Sequence, residues 1–390
     1  MNELEFYTTL LNLPGVKVTS VDQISNKYTF HCQVKEVKSK CPSCGKECSH
    51  VHQYEERKVQ DLSISGKEVW LNLRVPQFYC PDCNRYFIHK LDWLVPQKSY
   101  TKRQSKWIFE LCAKQPFSEV SCLVNLGVKT VERLYYSSAK EKLQLSERYA
   151  QVRKLCIDEI SHKKGKKDYV CVLTDLERGI QLDILKNRKK ETLINHFKKL
   201  GKEFCEQIKV VSCDIWKTYI KVAQECFPNA KVVLDRFHLV KALNDVIDNV
   251  RKQLRRKEPN NNLFKSIKWM LFKQNKKCSK EEKEELKVVF EKSTLLANIY
   301  ELRERFHRLF DGEFSVEKFE EILEEWVQDA SKIEFKPISN WKEQIVNYAI
   351  FPVSNAVTEG LNNIIRYFKR ISFGIPNFEN MRLRVLSNYL

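Results

Sequence analysis

Three short apolar runs in this chain each end on an aspartate: Asp158 in RKLCID, Asp214 in KVVSCD and Asp235 in KVVLD. A carboxylate at the end of a buried strand is costly to desolvate as an anion, and two carboxylates a few Å apart raise each other's pKa. A divalent cation between them removes that cost, and Mg²⁺ prefers such oxygen ligands. The runs therefore predict a magnesium site, in which a third carboxylate would allow two ions to act on a phosphodiester.

Glu359, in the segment SNAVTEGLNNIIRYFKR, is the best candidate for the third carboxylate. Apolar residues recur there at helical spacing and predict a helix with one packed face. Glu359 lies about one turn inside this helix, and Ser354 or Asn355 could cap its start. The opposite face carries amides and guanidiniums suited to metal binding at one end and phosphate contact along its length: Asn362, Asn363, Arg366 and Arg370. Lys369 of the same helix is a further candidate for DNA contact. An ordinary solvated helix face is the alternative.

The elements that must position these carboxylates begin at residue 151, where strand and helix patterns alternate in the order β-β-β-α-β-α-β. This order is that of an RNase H-like fold. Its first and fourth strands lie side by side, which would bring Asp158 and Asp214 to neighbouring strand ends. Asp235 ends the last strand, which lies further out, so Asp214 is preferred as the second ligand. Glu159 follows Asp158 directly and should point to the opposite face of the sheet.

Four of the fourteen cysteines form two C-x-x-C pairs, Cys41 with Cys44 and Cys80 with Cys83. Two residues between cysteines let one tight turn aim both thiolates at one Zn²⁺, and two such turns complete a tetrahedron. A redox pair is the alternative, but the thioredoxin-like context is missing. The segment between the pairs alternates from residue 69 to 75 like a strand, after a turn at Gly66. Substitute zinc ligands could come from nearby side chains: Cys48, His50, His52 and His89.

The stretch from about 100 to 148 has helical periodicity that Pro116 and Gly127 interrupt. Within it, SEVSCLVNLGVKTVERLYY resembles a helix-turn-helix, although the part after LGV is shorter than usual. The second helix would present Lys129, Thr130 and Arg133 to a DNA groove. A plain helical linker is the alternative.

A long helical stretch from about 245 to 340 separates the last strand from Glu359, and its first part is basic. Its cationic side chains could track a DNA backbone. Trp269 could stack on a flipped or frayed base, although packing in a core is the commoner use of such a residue. The residues proposed for DNA contact are Arg251, Arg255, Arg256 and Trp269.

The most informative feature of the composition is the net charge of the chain. The 390 residues carry a formal net charge of +18, with 43% hydrophobic and 30% charged residues. This balance favours a polyanionic partner, and nucleic acid is preferred over membrane because nothing suggests a lipid anchor. Simple solubility is the alternative. No run approaches the roughly 20 apolar residues of a membrane span, and the start lacks a signal-peptide pattern, so a cytoplasmic location is expected.

Four quoted segments, IDEIS, CDIWKTY, VLDRFHLVKALN and SNAVTEGLNNIIRYFKR, together resemble the DDE transposases of bacterial insertion sequences, in particular the ISL3 group. The resemblance implies Asp158, Asp214 and Glu359 as the metal-binding triad. Asp235 and His238 match a (C/D)xxH element and would be supporting residues, with Asn355 as a third. The segment FGIPNF departs from the usual family pattern, which bears only on local DNA contacts.

The resemblance also implies a multidomain α+β architecture. Expected are a zinc ribbon-like, DNA-binding β module (1–98), a helix-turn-helix (99–148), an RNase H-like α/β catalytic core in two parts (149–244 and 341–390) and an all-α insertion (245–340). The zinc module, the helix-turn-helix and part of the insertion would recognise the terminal repeats. The implied activity is Mg²⁺- or Mn²⁺-dependent cleavage at the terminal inverted repeats of an insertion sequence, and joining of the 3′-OH to target DNA. A homodimer or larger synaptic complex on double-stranded DNA, at the bacterial nucleoid, is expected. A catalytically silent DNA-binding regulator and an RNase H-like nuclease are the alternatives.

Overall fold

The computed structural model describes residues 2–95, 98–143, 145–163, 168–258, 263–332, 341–353, 356–372 and 374–387. The chain forms two compact units, Met1–Leu143 with Tyr367–Leu390, and Gln144–Arg366. Within the described ranges no helix has both the length and the apolar character needed to cross a membrane.

The first unit begins with a helix and a β-sheet. Its elements are α1 (Glu3–Leu11), β1 (Val16–Ile24), β2 (Lys27–Val34), β3 (Ser39–Lys40), β4 (Glu47–Cys48), β5 (Val51–Ile64), β6 (Lys67–Cys80) and β7 (Arg85–Ile88). The main sheet has the order β1-β2-β6-β5, with β7 also paired to β6. Its core side is built from alternating apolar residues, among them Val69, Leu71, Leu73 and Val75, each at most 2% exposed. The predicted strand is confirmed.

The turn between β5 and β6 is formed by Ser65 and Gly66, with φ of 52° and 77°. Positive φ at both central residues is typical of a type I′ hairpin turn, whose twist matches that of the strands. The predicted turn at Gly66 is therefore confirmed.

Three helices follow the sheet: α2 (Lys102–Cys112), α3 (Phe117–Val124) and α4 (Val128–Lys142). Pro116 is the N-cap of α3, and Asn125 ends it in the left-handed conformation with φ of 48°. Gly127 is the N-cap of α4. The interruptions read from the sequence at Pro116 and Gly127 are thus helix starts, and only residues 125–127 separate α3 from α4.

The second unit is built around another five-stranded sheet. Its first elements are α5 (Leu145–Tyr149), β8 (Lys154–Lys163), β9 (Asp168–Asp175), β10 (Ile180–Leu185), α6 (Lys190–Leu200), α7 (Lys202–Gln207), β11 (Val210–Cys213), α8 (Lys217–Cys226) and β12 (Lys231–Leu234). The strand order is β10-β9-β8-β11-β12, with β11 parallel to both β8 and β12. The predicted pairing of the first and fourth strands is confirmed, and the last strand lies at the edge. The short helix α7 was not predicted.

Helices make up the rest of the second unit. They are α9 (Arg236–Lys257), α10 (Leu263–Ser266), α11 (Lys268–Phe272), a 3₁₀ turn (Asn275–Lys277), α12 (Lys280–Lys292), α13 (Thr294–Asp311), α14 (Val316–Lys332), α15 (Lys342–Ile350) and α16 (Ala356–Ile371). Helix α9 runs unbroken through the expected domain boundary at residue 244.

Arg303 of α13 is fully buried, and its guanidinium donates to the carbonyls of Leu271 and Lys273. This bond network stabilises the end of α11, which carries Trp269.

The C-terminal helix α17 (Phe378–Leu386) belongs to the first unit, where it packs on α4. Arg384 is fully buried, with its guanidinium 4.1 Å from the ring centre of Phe117. The hydroxyls of Tyr135 and Ser387 lie 2.6 Å apart. The range 341–390, expected as one part of the catalytic core, is therefore shared between the two units, and the division falls inside α16.

Candidate active site

Asp158 lies in the middle of β8, which continues to Lys163 instead of ending at this aspartate as the sequence predicted. Asp214 directly follows the last residue of β11, the adjacent parallel strand. The register pairs Ile157 with Cys213, so the two aspartates are the next residues along the two chain segments. Asp158 Oδ1 accepts a hydrogen bond from the backbone N–H of Glu159 at 2.7 Å, and its Oδ2 accepts one from Asn362 Nδ2 at 2.7 Å. Burial, and then the charge of Asp214, raise the pKa of Asp158 to about 6. The two carboxylates therefore repel each other, as the sequence predicted.

Asp235 and His238 lie against Asp214. Asp235 is the N-cap of α9, where its carboxylate accepts from the backbone N–H of Phe237, and His238 follows in the first turn. His238 Nδ1 lies 2.6 Å from Asp214 Oδ1 and 3.3 Å from Asp235 Oδ2. Burial lowers the pKa of His238, but the neighbouring carboxylates outweigh it, so the pKa is raised. The supporting pair of the sequence analysis thus contacts the second aspartate directly.

This cluster has the donor set of a divalent cation site. One ligand atom from each of Asp214, Asp235 and His238 falls within 4.8 Å of the others. His238 Nδ1 and Asp214 Oδ1 are both buried and lie 2.6 Å from each other. Carboxylate oxygens are ligands that Mg²⁺ prefers, so the donor set formed by Asp214, Asp235 and His238 fits a cation. Within the described residues, Asp158 and Glu359 are not part of this group.

Helix α16 carries Glu359 and is joined to Asp158 through Asn362, which is 1% exposed. Glu359 lies three residues earlier on the same side of the helix, is exposed, and pairs with Arg366 at 2.8 Å. The amides of the predicted polar face do not all face solvent, because Asn362 is buried and donates a hydrogen bond to Asp158. The sequence did not reveal this role. Asn355 lies outside the described residues.

Arg188, between β10 and α6, was missed in the sequence. Its guanidinium lies 4.5 Å from the ring centres of both Tyr169 and Trp216 and pairs with Glu159 at 2.5 Å. Glu159 adjoins Asp158, and Trp216 is the N-cap of α8, two residues after Asp214. Arg188 thus links Glu159, next to Asp158 in the middle of β8, with Trp216, just after Asp214, although these residues are separated by long stretches of sequence.

We expect Arg188→Lys to lower the rate of the DNA cleavage that the sequence resemblance implies by roughly 10- to 100-fold, as is usual for residues that orient metal ligands. Lysine keeps the charge but lacks the planar guanidinium that stacks on the two aromatic rings and pairs with the carboxylate of Glu159 through two N–H groups. Because the effect acts through ligand position, the Mg²⁺ concentration needed for half-maximal rate should rise while DNA binding stays constant. Arg153→Lys, at an exposed position of the same unit, is the control. An unchanged Mg²⁺ requirement in the Arg188 variant would contradict this role.

A second expectation concerns stability without Mg²⁺. The pKa of Asp158 rises from 3.8 in the unfolded chain to about 6 in the folded one, so stability falls as the pH rises from about 4 to about 6. Asp158→Asn removes this cost, and we expect it to stabilise the Mg²⁺-free protein above pH 6 by up to about 3 kcal/mol. Below about pH 4 the two proteins should match. Asn362 Oδ1 has no other partner in the described chain, so its amide can turn to accept from the new NH₂.

The measurement is urea unfolding as a function of pH in Mg²⁺-free buffer without a chelator, so that zinc is retained. Asp329→Asn is a control of opposite sign, because Arg305 and Lys332 lower the pKa of Asp329 to about 2. That variant should not be stabilised at neutral pH. Equal or lower stability of Asp158→Asn at pH 8 would show that the repulsion is absent.

Cys41, Cys44, Cys80 and Cys83 come together at one end of the first sheet. The Sγ atoms of Cys41 and Cys83 lie 3.8 Å apart, and those of Cys44 and Cys80 lie 3.7 Å apart. Four sulfurs at 2.3 Å from a tetrahedral Zn²⁺ are separated by about 3.8 Å. Within the described residues, this sulfur cluster includes none of the substitute ligands considered for it. The cysteine motif thus forms a structural zinc site.

The thiols of this cluster cannot all ionise without a cation. Backbone N–H groups of Cys44 and Ser43 lower the pKa of Cys41 to about 6. The thiol of Cys44 and then burial raise the pKa of Cys83 to about 12. A Zn²⁺ ion held by Cys41, Cys44, Cys80 and Cys83 would remove this conflict, because zinc binds cysteine sulfur as thiolate.

Most residues proposed for DNA contact are accessible. Exposed or half-exposed are Lys129, Thr130, Arg133, Arg255, Arg256, Arg366, Lys369 and Arg370. The prediction that Arg251 contacts DNA is wrong, because this residue is 5% exposed and its guanidinium pairs with Asp248 and donates to the carbonyl of Phe264. It stabilises the helical region and does not reach DNA. Trp269 is 69% exposed, so the expectation of core packing was wrong.

The chain matches two protein-family models. One is described as a transposase, of the ISL3 type of DDE enzymes, and spans residues 155–385. The other is described as the zinc finger of transposase IS204/IS1001/IS1096/IS1165 and spans residues 38–83.

Two kinds of curated relatives cover most of the chain. The transposase for insertion sequence element IS1001 of Bordetella parapertussis is 26% identical over 360 residues, 88% of this chain and 87% of the relative. The transposase for insertion sequence element IS1557 of Mycobacterium tuberculosis is 22% identical over 371 residues, 86% of this chain and 82% of the relative.

Proposed function

Because this chain belongs to the ISL3 family of DDE transposases, we propose that it cleaves DNA at the terminal inverted repeats of its insertion sequence and joins the 3′-OH to target DNA. The observation that carries the proposal is the meeting of Asp158 and Asp214 on adjacent strands, with the helix of Glu359 bonded to Asp158 through Asn362. The sheet order, with its first and fourth strands paired, supports an RNase H-like core.

Asp158, Asp214 and Glu359 would hold the catalytic Mg²⁺ or Mn²⁺. Such ions would activate water, polarise the scissile phosphate and stabilise the attacking and leaving oxygens. The chain prepares the ligands: Asn362 and the N–H of Glu159 orient Asp158, and the pair of Asp235 and His238 holds Asp214. Glu359 pairs with Arg366 in the described conformation. Its recruitment to a cation would release that guanidinium to contact a DNA phosphate.

Recognition of DNA would use the first unit and the helical region of the second. Helices α3 and α4 with their three-residue turn are proposed as a helix-turn-helix in which Lys129, Thr130 and Arg133 face the groove. Arg255 and Arg256 would contact phosphates, and Trp269 would stack on an unpaired base. Further phosphate contacts are proposed for the last turns of α16, at Arg366, Lys369 and Arg370. Joining two element ends calls for a homodimer or larger complex on nucleoid DNA.

Strand transfer of a pre-cleaved element end into a plasmid, with Mg²⁺, tests the proposal. We expect joined products that carry the element end on the target strand. A protein that binds the ends but does nothing further would be a regulator derived from a transposase. A protein that only cuts would be a nuclease of the same fold. Either result would overturn the proposed activity, and a footprint on the element's ends would show which repeats are bound.

A further inference from the structure

The side of the first sheet that faces away from its core carries an unusual arrangement of cations and aromatic rings. Apolar residues of β6 point inward, so the alternate residues Trp70, Asn72 and Arg74 share the other side. The register places Lys27 of β2 and Lys58 of β5 on the same side, beside Trp70. We call the surface formed by Lys27, Lys58, Trp70, Arg74 and Tyr54 the outer sheet face.

Trp70 is covered by two cations. Lys27 Nζ lies 5.1 Å from its ring centre and Lys58 Nζ lies 5.2 Å from it. The indole N–H donates to Glu68 Oε2 at 3.1 Å, which fixes the ring orientation. An ammonium over an indole face is attracted to it, but two ammoniums at one ring also repel each other. Desolvation, and then Lys58, lower the pKa of Lys27. An anion placed between the two lysines would relieve this repulsion.

A second cation–aromatic pair continues the outer sheet face along the same strand. The guanidinium of Arg74 lies 4.2 Å from the ring centre of Tyr54. Residues 70 and 74 are four positions apart, which corresponds to roughly 13 Å along a strand. The register also places Glu56 opposite Arg74 and Glu68 opposite Lys27. The three cations of the outer sheet face therefore lie beside two carboxylates and outnumber them, which gives two positive positions in a row for an extended polyanion.

The outer sheet face adjoins the turn between α3 and α4. Gln60 Nε2 donates to the carbonyl of Val124 at the end of α3 at 3.1 Å. The side chain of Asn125, in the turn, donates to Glu68, the same carboxylate that orients Trp70. Because Lys129 and Arg133 follow on the exposed side of α4, one duplex lying on α4 would continue onto the sheet. This continuity favours DNA as the occupant.

We propose that the outer sheet face binds the phosphate backbone of DNA beside the segment that α4 contacts. The inference rests on the proposed function and deepens it. Contacts with phosphates position a protein on the duplex without reading its sequence. The sheet would thus extend the bound site of each element end by a sequence-independent flank.

The test measures the affinity of the full-length protein for a labelled element end by fluorescence anisotropy at a series of salt concentrations. The slope of log K against log [salt] should become shallower by about 2 in the double variant Lys27→Gln/Lys58→Gln, and by about 1 in Arg74→Gln. The matched control is Lys67→Gln, because Lys67 lies over the ring of Tyr28 at 5.0 Å on the opposite side of the sheet. Its slope should equal that of the wild type.

A backbone footprint gives an independent readout. Protection should be lost on one flank of the site in the double variant and kept over the segment bound by α4. Zinc content and thermal unfolding are measured to confirm that each variant is folded. If the double variant and Arg74→Gln both keep the wild-type slope and the flanking protection, the inference is overturned. The proposed function fails by a different result, the inability of the wild-type protein to bind or join element ends.

Discussion

Replacing Asp214 by asparagine should abolish DNA cleavage, with a loss on the order of 10³-fold or more, while binding to the element ends is retained. Asparagine preserves the shape of the side chain but removes the charge that a divalent cation requires. Asp214 is the appropriate target because it directly follows β11, the strand paired with the β8 strand that carries Asp158. The rate is measured on a labelled element end with saturating protein and Mg²⁺.

Asp235→Asn is the matched control, because Asp235 contacts the same histidine at 3.3 Å but follows the edge strand β12. As a residue that positions a ligand, it should cost roughly 10- to 100-fold, and the loss should shrink at high Mg²⁺ concentration. The opposite outcome, in which Asp235→Asn is inactive and Asp214→Asn is active, would exchange the two assignments. Because both lie against His238, the comparison is informative only if both proteins are purified free of wild type.

Cys44→Ser should abolish zinc binding and binding to element ends. Structural zinc contributes about 10–16 kcal/mol of apparent binding free energy in small zinc modules. The ends of β6 and β7 depend on it, because Cys80 ends β6 and Cys83 lies in the turn before β7. The catalytic unit has its own core, which includes Leu155 and Val211. We therefore expect local unfolding, with secondary structure of the second unit preserved.

The measurements are zinc content, circular dichroism and binding to a labelled element end, all with the full chain. Cys48→Ser is the control, because Cys48 is buried beside the cluster but makes its contact with the carbonyl of Lys46. That variant should keep one equivalent of zinc. Full zinc occupancy in Cys44→Ser, or normal end binding without zinc, would show that the metal does not hold this module together.

Asn362 illustrates how the structure changes the interpretation of a motif. Its position three residues after Glu359 predicts that the two lie on one side of a helix, and the polar composition suggests a solvated stripe. In the structure Asn362 is buried and bonded to Asp158, whereas Glu359 is exposed and paired with Arg366. One side of α16 therefore serves two purposes, attachment to the sheet and presentation of a carboxylate.

Local patterns in the sequence were enough to determine the secondary structure around the site. Alternation of apolar residues predicts β6, and the run KETLINHFKKL coincides with α6, because periodicity reports directly which side of an element is buried. Element order and strand-pairing rules place Asp158 beside Asp214. Spacing alone identified the four zinc-binding cysteines, because a tight turn between two ligands is a local feature.

Only the tertiary structure decided which polar side chains meet. Arg188 contacts Glu159 and Trp216, which are far apart in the sequence. Arg251 forms an ion pair with Asp248, and Trp269 is exposed. Periodicity gives the direction of a side chain relative to its own helix or strand, but not what packs against it. The energy of a buried ion pair or a stacked ring depends on a partner that is distant in the sequence. The environment of these residues could therefore be determined only from the folded structure.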